Sequence, residues 1–296
     1  GLPQQGGELF RGHIRRAYHA ADLSGFFLLN PTLQNRNAVI QLGDRVFPCG
    51  KEQTGIVLDG LNLKPFTSYA FSIHAEDNHG NRASETLAFQ TGRRDLPWEA
   101  KWITDKSCRT GKKESPVPMT FRKEFLIRKP VKRAFITSMA MGIYELELNG
   151  EKVGDAYFAP GFTSYKKNLQ YQFYDVTGQL REDNTLIAIV AGGWAVGRFT
   201  YESKNKITTD RQAVMLELFV EYADGRTDKM ITDGTWDVTL QGNYLAADFY
   251  DGEVYDASID RSALLWKKAD TIKLLFTPEI TVSLGSPVTR QETLTP

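Results

Sequence analysis

Short runs in which apolar and polar residues alternate dominate the chain from residue 39 onward, separated by Gly, Asn and Asp. This pattern is typical of antiparallel strands joined by tight turns. Residues 68–75 alternate in this way, residues 77–81 (DNHGN) favour a turn, and residues 86–91 return as a second strand. The sequence therefore predicts a β-hairpin between residues 68 and 91.

A tyrosine at the start of this hairpin indicates the type of domain. Tyr69 follows a Leu-Lys-Pro segment at residues 63–65, and from there its hydroxyl can reach back to the backbone. Immunoglobulin-like sandwiches use such a tyrosine corner. The stretch resembles the second half of a fibronectin type III module, which Thr91 and Gly92 would close. We therefore expect a fibronectin III/immunoglobulin-like β-sandwich over residues 1–93.

A second domain is expected to begin at Trp98, because residues 93–97 (RRDLP) have the composition of a linker. Its predicted strands are short and numerous: 120–127, 133–139, 143–148, 168–175, 185–190, 213–222 and 229–232. So many short strands predict a β-sandwich over residues 98–278. The last residues, 279–296, are expected to open a following, truncated β domain.

Helical periodicity is almost absent from the chain. Residues 258–266 are the exception and predict a short helix, with Ser258 as its N-cap. The pair Asn149 and Gly150 follows an alternating run and predicts a tight hairpin instead. The predicted fold class is therefore all-β, with the fibronectin III/immunoglobulin-like β-sandwich followed by a second β-sandwich.

Composition and charge exclude several classes of protein. Lysine and arginine (36) balance aspartate and glutamate (36), so no net positive charge would attract nucleic acid. The apolar runs are far shorter than a membrane helix, so we expect no membrane span. The two cysteines, Cys49 and Cys108, lie far apart and predict no disulfide framework. The histidines lack metal-ligand spacing and predict no zinc site: His13, His19, His74 and His79.

Several motifs of the second domain occur together and in a specific order. They are residues 98–103 (WEAKWI), 121–125 (FRKEF), 144–155 (YELELNGEKVGD), 159–165 (APGFTSY), 192–198 (GGWAVGR) and 251–257 (DGEVYDA). In these motifs the chain resembles the N-terminal region of bacterial α-L-rhamnosidases, glycoside hydrolases that remove terminal L-rhamnose. The family usually carries Trp where Phe162 stands here. The resemblance extends over residues 55–296. It implies that the second sandwich, residues 98–278, is a jelly-roll β-sandwich preceded by the fibronectin III-like module.

The resemblance implies that this chain and the catalytic site belong to different parts of a larger enzyme. In the family, the catalytic carboxylates lie farther toward the C-terminus on a helical (α/α)₆ barrel, and this sequence holds no set of amphipathic helices that would build one. We therefore expect the front portion of such an enzyme, inactive alone and partnered by the C-terminal catalytic domain of the same parent chain. The resemblance also implies a periplasmic or secreted location.

Two acids imitate a catalytic pair. Inverting glycosidases hold two carboxyl groups about 6.5–9.5 Å apart. If Asp251 and Glu253 share one strand, they lie on the same face with about 6.6 Å between their backbone positions. Alternatively, Asp251 and Gly252 form a turn and Glu253 accepts hydrogen bonds from loop amides. We favour the turn and assign no catalytic residue, keeping both acids as candidate ligand-binding residues.

Other candidates for sugar binding are aromatic or cationic. Trp194 and Arg198 stand in a glycine-rich loop, and Phe162 and Tyr165 offer further rings. An aromatic face fits the C–H side of a pyranose, and charged groups bind its hydroxyls. The resemblance implies a rhamnose-containing glycan as the ligand. Alternatively, Trp194 fills the core, Arg198 pairs with a local acid, and the domain is a purely structural scaffold that binds no sugar.

Calcium is a further expectation to examine, since related modules in some rhamnosidases bind L-rhamnose with calcium. Calcium takes six to eight oxygen ligands. The available acids are Asp233, Asp237, Asp248, Asp251 and Asp256. No EF-hand loop gathers them, so the sequence predicts no metal site and no cofactor.

Overall fold

The structure is a computed structural model that describes residues 35–49, 58, 60–77, 79–108, 110–202, 204–283 and 287–294. The chain divides into two compact units, Gly1–Leu96 and Pro97–Pro296. Strands make up nearly all the regular structure of the described residues, which confirms the predicted all-β fold class. In the part of the chain that is described, no helix has the length and apolar character needed to cross a membrane.

The first unit contains one antiparallel sheet. Its strands are β1 (Asn35–Leu42), β2 (Arg45–Pro48), β3 (Ser68–Asp77) and β4 (Arg82–Gln90), in the order β2-β1-β3-β4. Alternate residues point to one face and bury an apolar cluster that includes Ile40, Phe71, Ile73 and Phe89. The predicted hairpin over residues 68–91 is therefore confirmed as β3 and β4.

The tyrosine corner also forms as predicted. The backbone N–H of Lys64 donates to the hydroxyl of Tyr69 at 2.8 Å. The strand order matches the C′, C, F and G strands of an immunoglobulin-like sandwich, in which this tyrosine begins strand F. The opening strands of the predicted fibronectin III module lie outside the described residues, so that assignment stays a prediction.

The second unit begins with a longer series of strands. They are β5 (Trp102–Thr104), β6 (Met119–Leu126), β7 (Val131–Met141), β8 (Ile143–Leu148), β9 (Glu151–Lys152), β10 (Ala156–Tyr157), β11 (Asn168–Asp175), β12 (Asp183–Ala191), β13 (Ala213–Tyr222), β14 (Thr227–Ile231), β15 (Asp237–Thr239), β16 (Tyr244–Asp248), β17 (Gly252–Tyr255), β18 (Lys267–Lys268), β19 (Asp270–Ile272), β20 (Glu279–Val282) and β21 (Val288–Thr289). The described helices are short: α1 (Gly193–Val196) and two 3-10 turns, Thr177–Gln179 and Arg261–Ala263.

These strands form a sandwich of two large sheets. One sheet has the order β19-β5-β13-β7-β11-β20, with β14 also paired to β13, and the other has the order β18-β15-β6-β12-β8-β9. The inward residues of both sheets form the main core around Phe121, Leu146, Leu216 and Trp236. The predicted Asn149–Gly150 hairpin joins β8 to β9, with φ angles of 56° and 82° at its two turn residues.

A second apolar cluster covers the other face of the seven-stranded sheet. Met139, Met141 and Met215 point outward from that sheet and are covered by Trp102, Tyr165 and the helix α1. The segments that follow strands β10 and β12 therefore pack on this second apolar cluster. Their packing brings the candidate functional residues into one region of the unit.

Two predictions about the chain's later part differ from the structure. Residues 279–282 do not open a following domain, because β20 pairs in parallel with β11 and extends the seven-stranded sheet. The predicted helix over residues 258–266 is a single 3-10 turn. The side chain of Asp256 accepts the N–H of Ser258, and that of Asp260 accepts the N–H of Ser262, so these turns compete with a longer helix.

Candidate functional site

Five aromatic rings form a connected patch on the second unit, which we call the aromatic platform: Phe158, Phe162, Trp194, Phe199 and Phe249. The centroid of Phe249 lies 4.2 Å from that of Trp194 and 5.5 Å from that of Phe158. Phe162 lies 6.2 Å from Trp194 and 5.7 Å from Phe199. Phe158 is 46% exposed and Phe162 is 62% exposed. Two rings of the platform, those of Phe158 and Phe162, are therefore accessible to solvent.

Tyr165 supports the platform from below. Its ring meets Phe162 edge-on at 6.1 Å, and its hydroxyl donates to the carbonyl of Gly161 at 2.9 Å. Only 3% of Tyr165 is exposed, and burial raises the pKa of its hydroxyl. The side chain stays neutral and cannot meet a ligand on the surface, so its role is to fix the loop that carries Phe162.

Glycines allow the loop around Trp194 to pack tightly. Gly193 has a φ of +50°, and a Cβ there would lie 2.7 Å from the Cγ2 of Ile143. A Cβ on Gly197 would lie 2.4 Å from Oδ2 of Asp248 and 2.5 Å from the carbonyl oxygen of Gly193. The glycines of the GGWAVG motif therefore let α1 approach Asp248 closely.

We expect Gly197→Ala to destabilise the second unit by about 2 kcal/mol, because the new methyl group would push Asp248 away from the loop. Gly178→Ala is the matched control, since a Cβ at Gly178 meets no atom of the described residues within 4 Å. Urea denaturation of both variants checks this expectation. Equal midpoints for the two variants would contradict it.

A charged pair lies at one end of the hairpin formed by β16 and β17. The guanidinium of Arg198 donates to Oδ1 of Asp251 at 2.6 Å, and both side chains are about 70% buried. The hydroxyl of Ser115 donates to the other carboxylate oxygen. The backbone N–H of Arg198 donates to Oδ2 of Asp248 at 2.7 Å. Arg198 is thus fixed by two acids of this hairpin.

Asp248 is more deeply buried than Asp251. Burial raises the pKa of Asp248, opposed by the backbone N–H groups of Arg198 and Phe249 and reinforced by the nearby charge of Asp251. Only 7% of Asp248 is exposed. Its role is therefore structural: it joins the Arg198 backbone to the end of β16, beside the platform ring Phe249.

The acids that were considered for calcium do not come together. Asp233 accepts from Thr235, Asp237 pairs with Lys268, and Asp256 accepts from Ser258. The remaining two, Asp248 and Asp251, are engaged by Arg198. Across the residues described, no group of three or more His, Cys, Asp or Glu could hold a metal ion. These residues do not fit the six to eight oxygen ligands that calcium takes.

A groove of about 390 Å³ adjoins the platform, and we call it the sheet groove. Phe158 belongs to both features. Lys152 lines the groove, and its Nζ lies 2.7 Å from Oε1 of Glu145 and 3.8 Å from the ring centroid of Tyr157. The lining also includes Ile143, Ile189, Tyr244 and Glu253. The groove therefore combines aromatic rings with carboxylate acceptors, as saccharide sites do.

The structure separates the predicted site residues into three groups. Phe162, Trp194 and Tyr165 meet at the platform, and Arg198 and Asp251 form the adjacent pair. Glu253 lies apart in the sheet groove, where its side chain makes no hydrogen bond within the described residues. Asp251 lies in the turn before β17, as the turn alternative predicted. The other part of that alternative is wrong, because Glu253 lies on β17 and its side chain accepts no hydrogen bond from a loop amide of the described residues.

Sequence reasoning missed three platform residues, Phe158, Phe199 and Phe249, and considered Asp248 only as a calcium ligand. Phe199 directly follows the motif of residues 192–198. Phe158 directly precedes a recognised motif, and Phe249 lies two residues before another. No local pattern shows that these rings stack on each other. Only their positions in the sequence could have indicated that these rings belong to the site, because each ring flanks a motif that already held a candidate residue.

Comparisons with known proteins agree on one family. The model described as alpha-L-rhamnosidase N-terminal domain matches residues 129–292. The alpha-L-rhamnosidase of Streptomyces avermitilis is 41% identical over 138 residues, which are 46% of this chain and 13% of that protein. An alpha-L-rhamnosidase of Formosa agariphila is 30% identical over 279 residues, 84% of this chain and 28% of that protein. The chain thus spans well under a third of these relatives.

Solved structures share the fold. The alpha-L-rhamnosidase of Streptomyces avermitilis complexed with L-rhamnose superposes with a TM-score of 0.75 at 18% identity, covering 88% of this chain and 43% of that one. That of Dictyoglumus thermophilum gives 0.73 at 23% identity, covering 90% of this chain and 33% of that one. Since the family model covers more than half of the 296 residues, the chain belongs to the alpha-L-rhamnosidase N-terminal domain family.

Proposed function

We propose that the chain is the non-catalytic N-terminal part of an α-L-rhamnosidase, and that its second unit recognises a rhamnose-containing glycan. Family membership supports the first statement, and the relatives are named for α-L-rhamnoside hydrolysis. In this proposal, the unit holds the glycan while a catalytic domain of the same parent chain cleaves terminal α-L-rhamnosides. The first unit, as a fibronectin III-like module, acts as a spacer.

The aromatic platform is the observation that carries this proposal. Its most exposed ring, Phe162, offers a flat apolar surface that suits the C–H face of a pyranose. Arg198 lies beside the hairpin that carries Phe249, and only one nitrogen of its guanidinium is bonded to Asp251, so other N–H groups of the guanidinium can donate to a sugar. Charge-assisted hydrogen bonds from such groups to sugar hydroxyls give orientation and specificity.

The alternative functions are less well supported by the geometry. A purely structural scaffold requires an apolar face and no aromatic-lined cleft, whereas the sheet groove is lined by both rings and carboxylates. A complete hydrolase would need Asp251 to act on a substrate, but Arg198 and Ser115 already engage both of its oxygens. We therefore expect this chain to leave an aryl α-L-rhamnoside intact.

Calorimetric titration with L-rhamnose and with a rhamnose-containing oligosaccharide tests the proposal. We expect saturable binding that Phe162→Ala weakens about tenfold, or roughly 1.4 kcal/mol, because the exposed ring of the platform is removed. Since Phe162 is mostly exposed, this change should leave the thermal midpoint within about 2 °C, as surface substitutions usually do.

Tyr201→Ala is the matched control, because Tyr201 is fully exposed and makes no ring contact with the platform. The control should bind like the parent protein. Binding should also persist after a chelator removes calcium, since the described acids do not form a calcium site. No heat at millimolar sugar would reject glycan recognition and favour the scaffold. Equal loss in the Phe162 and Tyr201 variants would place the site elsewhere.

A further inference from the structure

A second cavity, of about 600 Å³, lies on the second unit, and none of the platform or sheet-groove residues lines it. Its walls are the segment 206–211, Lys166 and the segment 272–276. We call it the basic cavity. Its volume falls within the range of small-molecule sites, about 300–1,000 Å³.

The charge of this lining is unusual for the chain. Four cations line it, Lys166, Lys206, Arg211 and Lys273, against one carboxylate, Asp210. The net charge is therefore 4 − 1 = +3, whereas the chain as a whole has 36 cations and 36 anions. Positive charge gathered in a cavity of a neutral protein attracts anions selectively.

Two of the four cations are free to meet a ligand. The guanidinium of Arg211 binds Asp210 through two hydrogen bonds, at 2.8 and 2.7 Å, and this bonding lowers the pKa of Asp210. Lys206 donates to the carbonyl of Thr110. Lys166 and Lys273 are exposed and make no ion pair or side-chain hydrogen bond within the described residues. The basic cavity therefore keeps two cations without counterions.

The rim of the cavity is fixed by its own backbone. The N–H of Lys206 donates to the carbonyl of Val196 at 2.7 Å. The N–H groups of Thr208 and Thr209 donate to the carbonyl of Ala195 at 3.1 and 3.3 Å. The segment 206–211 is thus attached to the helix α1, and a site built on it is preorganised.

The remaining lining suits a sugar ring. Leu274 and Phe276 are half-buried against the second apolar cluster and form one wall. Thr208 and Thr209 also line the cavity, and their hydroxyls make no hydrogen bond within the described residues. An apolar wall with an aromatic ring, hydroxyl groups and cations together match the C–H face, hydroxyls and charge of an acidic saccharide.

We infer that the basic cavity binds an anionic group of the glycan, a uronic acid carboxylate or a sulfate ester on a sugar next to rhamnose. This inference rests on the proposed glycan recognition and makes it more specific, because L-rhamnose itself is uncharged. Lys166 and Lys273 would contact the anion, and the ring of Phe276 would face the sugar.

Titration with three oligosaccharides tests this inference: one of alternating rhamnose and galacturonic acid, the same chain with its carboxyl groups reduced, and a rhamnose-containing one whose only charge is a sulfate ester. We expect the parent protein to bind at least one charged chain about tenfold tighter than the reduced chain, with the advantage falling as salt rises. The two charged chains distinguish carboxylate from sulfate as the recognised group.

The double variant Lys166→Glu/Lys273→Glu should lose that advantage and keep its affinity for the reduced chain. The control Lys64→Glu/Lys167→Glu changes the net charge equally at lysines that do not line the cavity, and should bind like the parent protein. Equal loss in both double variants, or no preference of the parent protein for charged chains, would overturn the inference.

The same titrations separate this inference from the proposed function. If L-rhamnose binds through Phe162 but a carboxylate or sulfate adds nothing, the platform stands and the basic cavity is rejected. If a charged chain binds through Lys166 and Lys273 while L-rhamnose gives no heat, the cavity stands and rhamnose recognition at the platform is rejected.

Discussion

Trp236→Ala is expected to destabilise the second unit by about 4 kcal/mol, which lowers its thermal midpoint by roughly 8–16 °C for a domain of this size. Trp236 is fully buried at the centre of the main core, between the two sheets. Its indole N–H donates to the carbonyl of Ile231 at 2.9 Å. Alanine would leave a large cavity and a carbonyl without its partner.

The five tryptophans make this measurement specific. All of them lie at or after Trp98, within the unit Pro97–Pro296, so tryptophan fluorescence follows the unfolding of that unit alone. The control is Trp266→Ala, the same substitution at a half-buried ring that lies 4.2 Å from the guanidinium of Arg122. The indole nitrogen of Trp266 has no hydrogen-bond partner among the described residues, so loss of this side chain should cost less, about 1–2 kcal/mol. Equal costs would show that the core is not centred on Trp236.

Several strands could be predicted at their full length because their signals are local. The bounds of β8 (Ile143–Leu148), β11 (Asn168–Asp175) and β13 (Ala213–Tyr222) agree with the prediction. β8 is followed by an Asn-Gly turn and β13 by an Asp-Gly pair, and all three carry apolar residues that fit a buried sheet. Local pattern therefore suffices where a strand and its turn agree.

The later strands could not be assigned in this way, because their partners are distant. β20 (Glu279–Val282) pairs in parallel with β11, and no short loop joins the two. Parallel neighbours are connected through long crossovers, so neighbouring sequence holds no signal for the pairing. A local reading therefore placed residues 279–296 in another domain.

The candidate site shows the same limit. Phe162 and Trp194 were found because each lies in a recognisable motif. Phe162 contacts Trp194 and Trp194 contacts Phe249, however, so the platform joins three separate segments of the chain. The basic cavity was missed altogether, since Lys166, Arg211 and Lys273 come from distant segments of a chain with no net charge. The net charge of the whole chain does not reveal such a cluster, because its residues come close together only in the folded structure.

A buried carboxylate near the start of the second unit should have the other large effect on stability. Asp105 is 1% exposed, and its Oδ1 accepts from Nζ of Lys267 at 2.7 Å and from the N–H and hydroxyl of Ser107 at 2.8 and 2.7 Å. Through Lys267 it joins the segment before β6 to the strand β18. Asp105→Ala removes three hydrogen bonds to a charged group and should cost about 3 kcal/mol at pH 7.

The pH dependence of the stability distinguishes the contribution of the Asp105 charge from that of the packing of its side chain. Burial alone would raise the pKa of Asp105, but the hydrogen bonds from Lys267 and Ser107 outweigh it, and the pKa lies below its ordinary value of 3.8. A lowered pKa in the folded state means that the ionised carboxylate stabilises the fold above pH 3.8. That stabilisation is lost as the pH falls through the folded-state pKa.

Asp105→Asn keeps the shape and the acceptor oxygen but removes the charge. We expect it to cost about 2 kcal/mol at pH 7 and progressively less below pH 4, because the parent protein then loses the same charge.

Urea denaturation followed by tryptophan fluorescence at pH 7, 5, 4 and 3 measures the difference in stability between the two proteins. Other acids with lowered pKa values, such as Asp224 and Asp237, affect both proteins equally and cancel from this difference. A cost that stays constant from pH 7 to 3 would mean that Asp105 acts through packing alone, and that the pair with Lys267 adds nothing to stability.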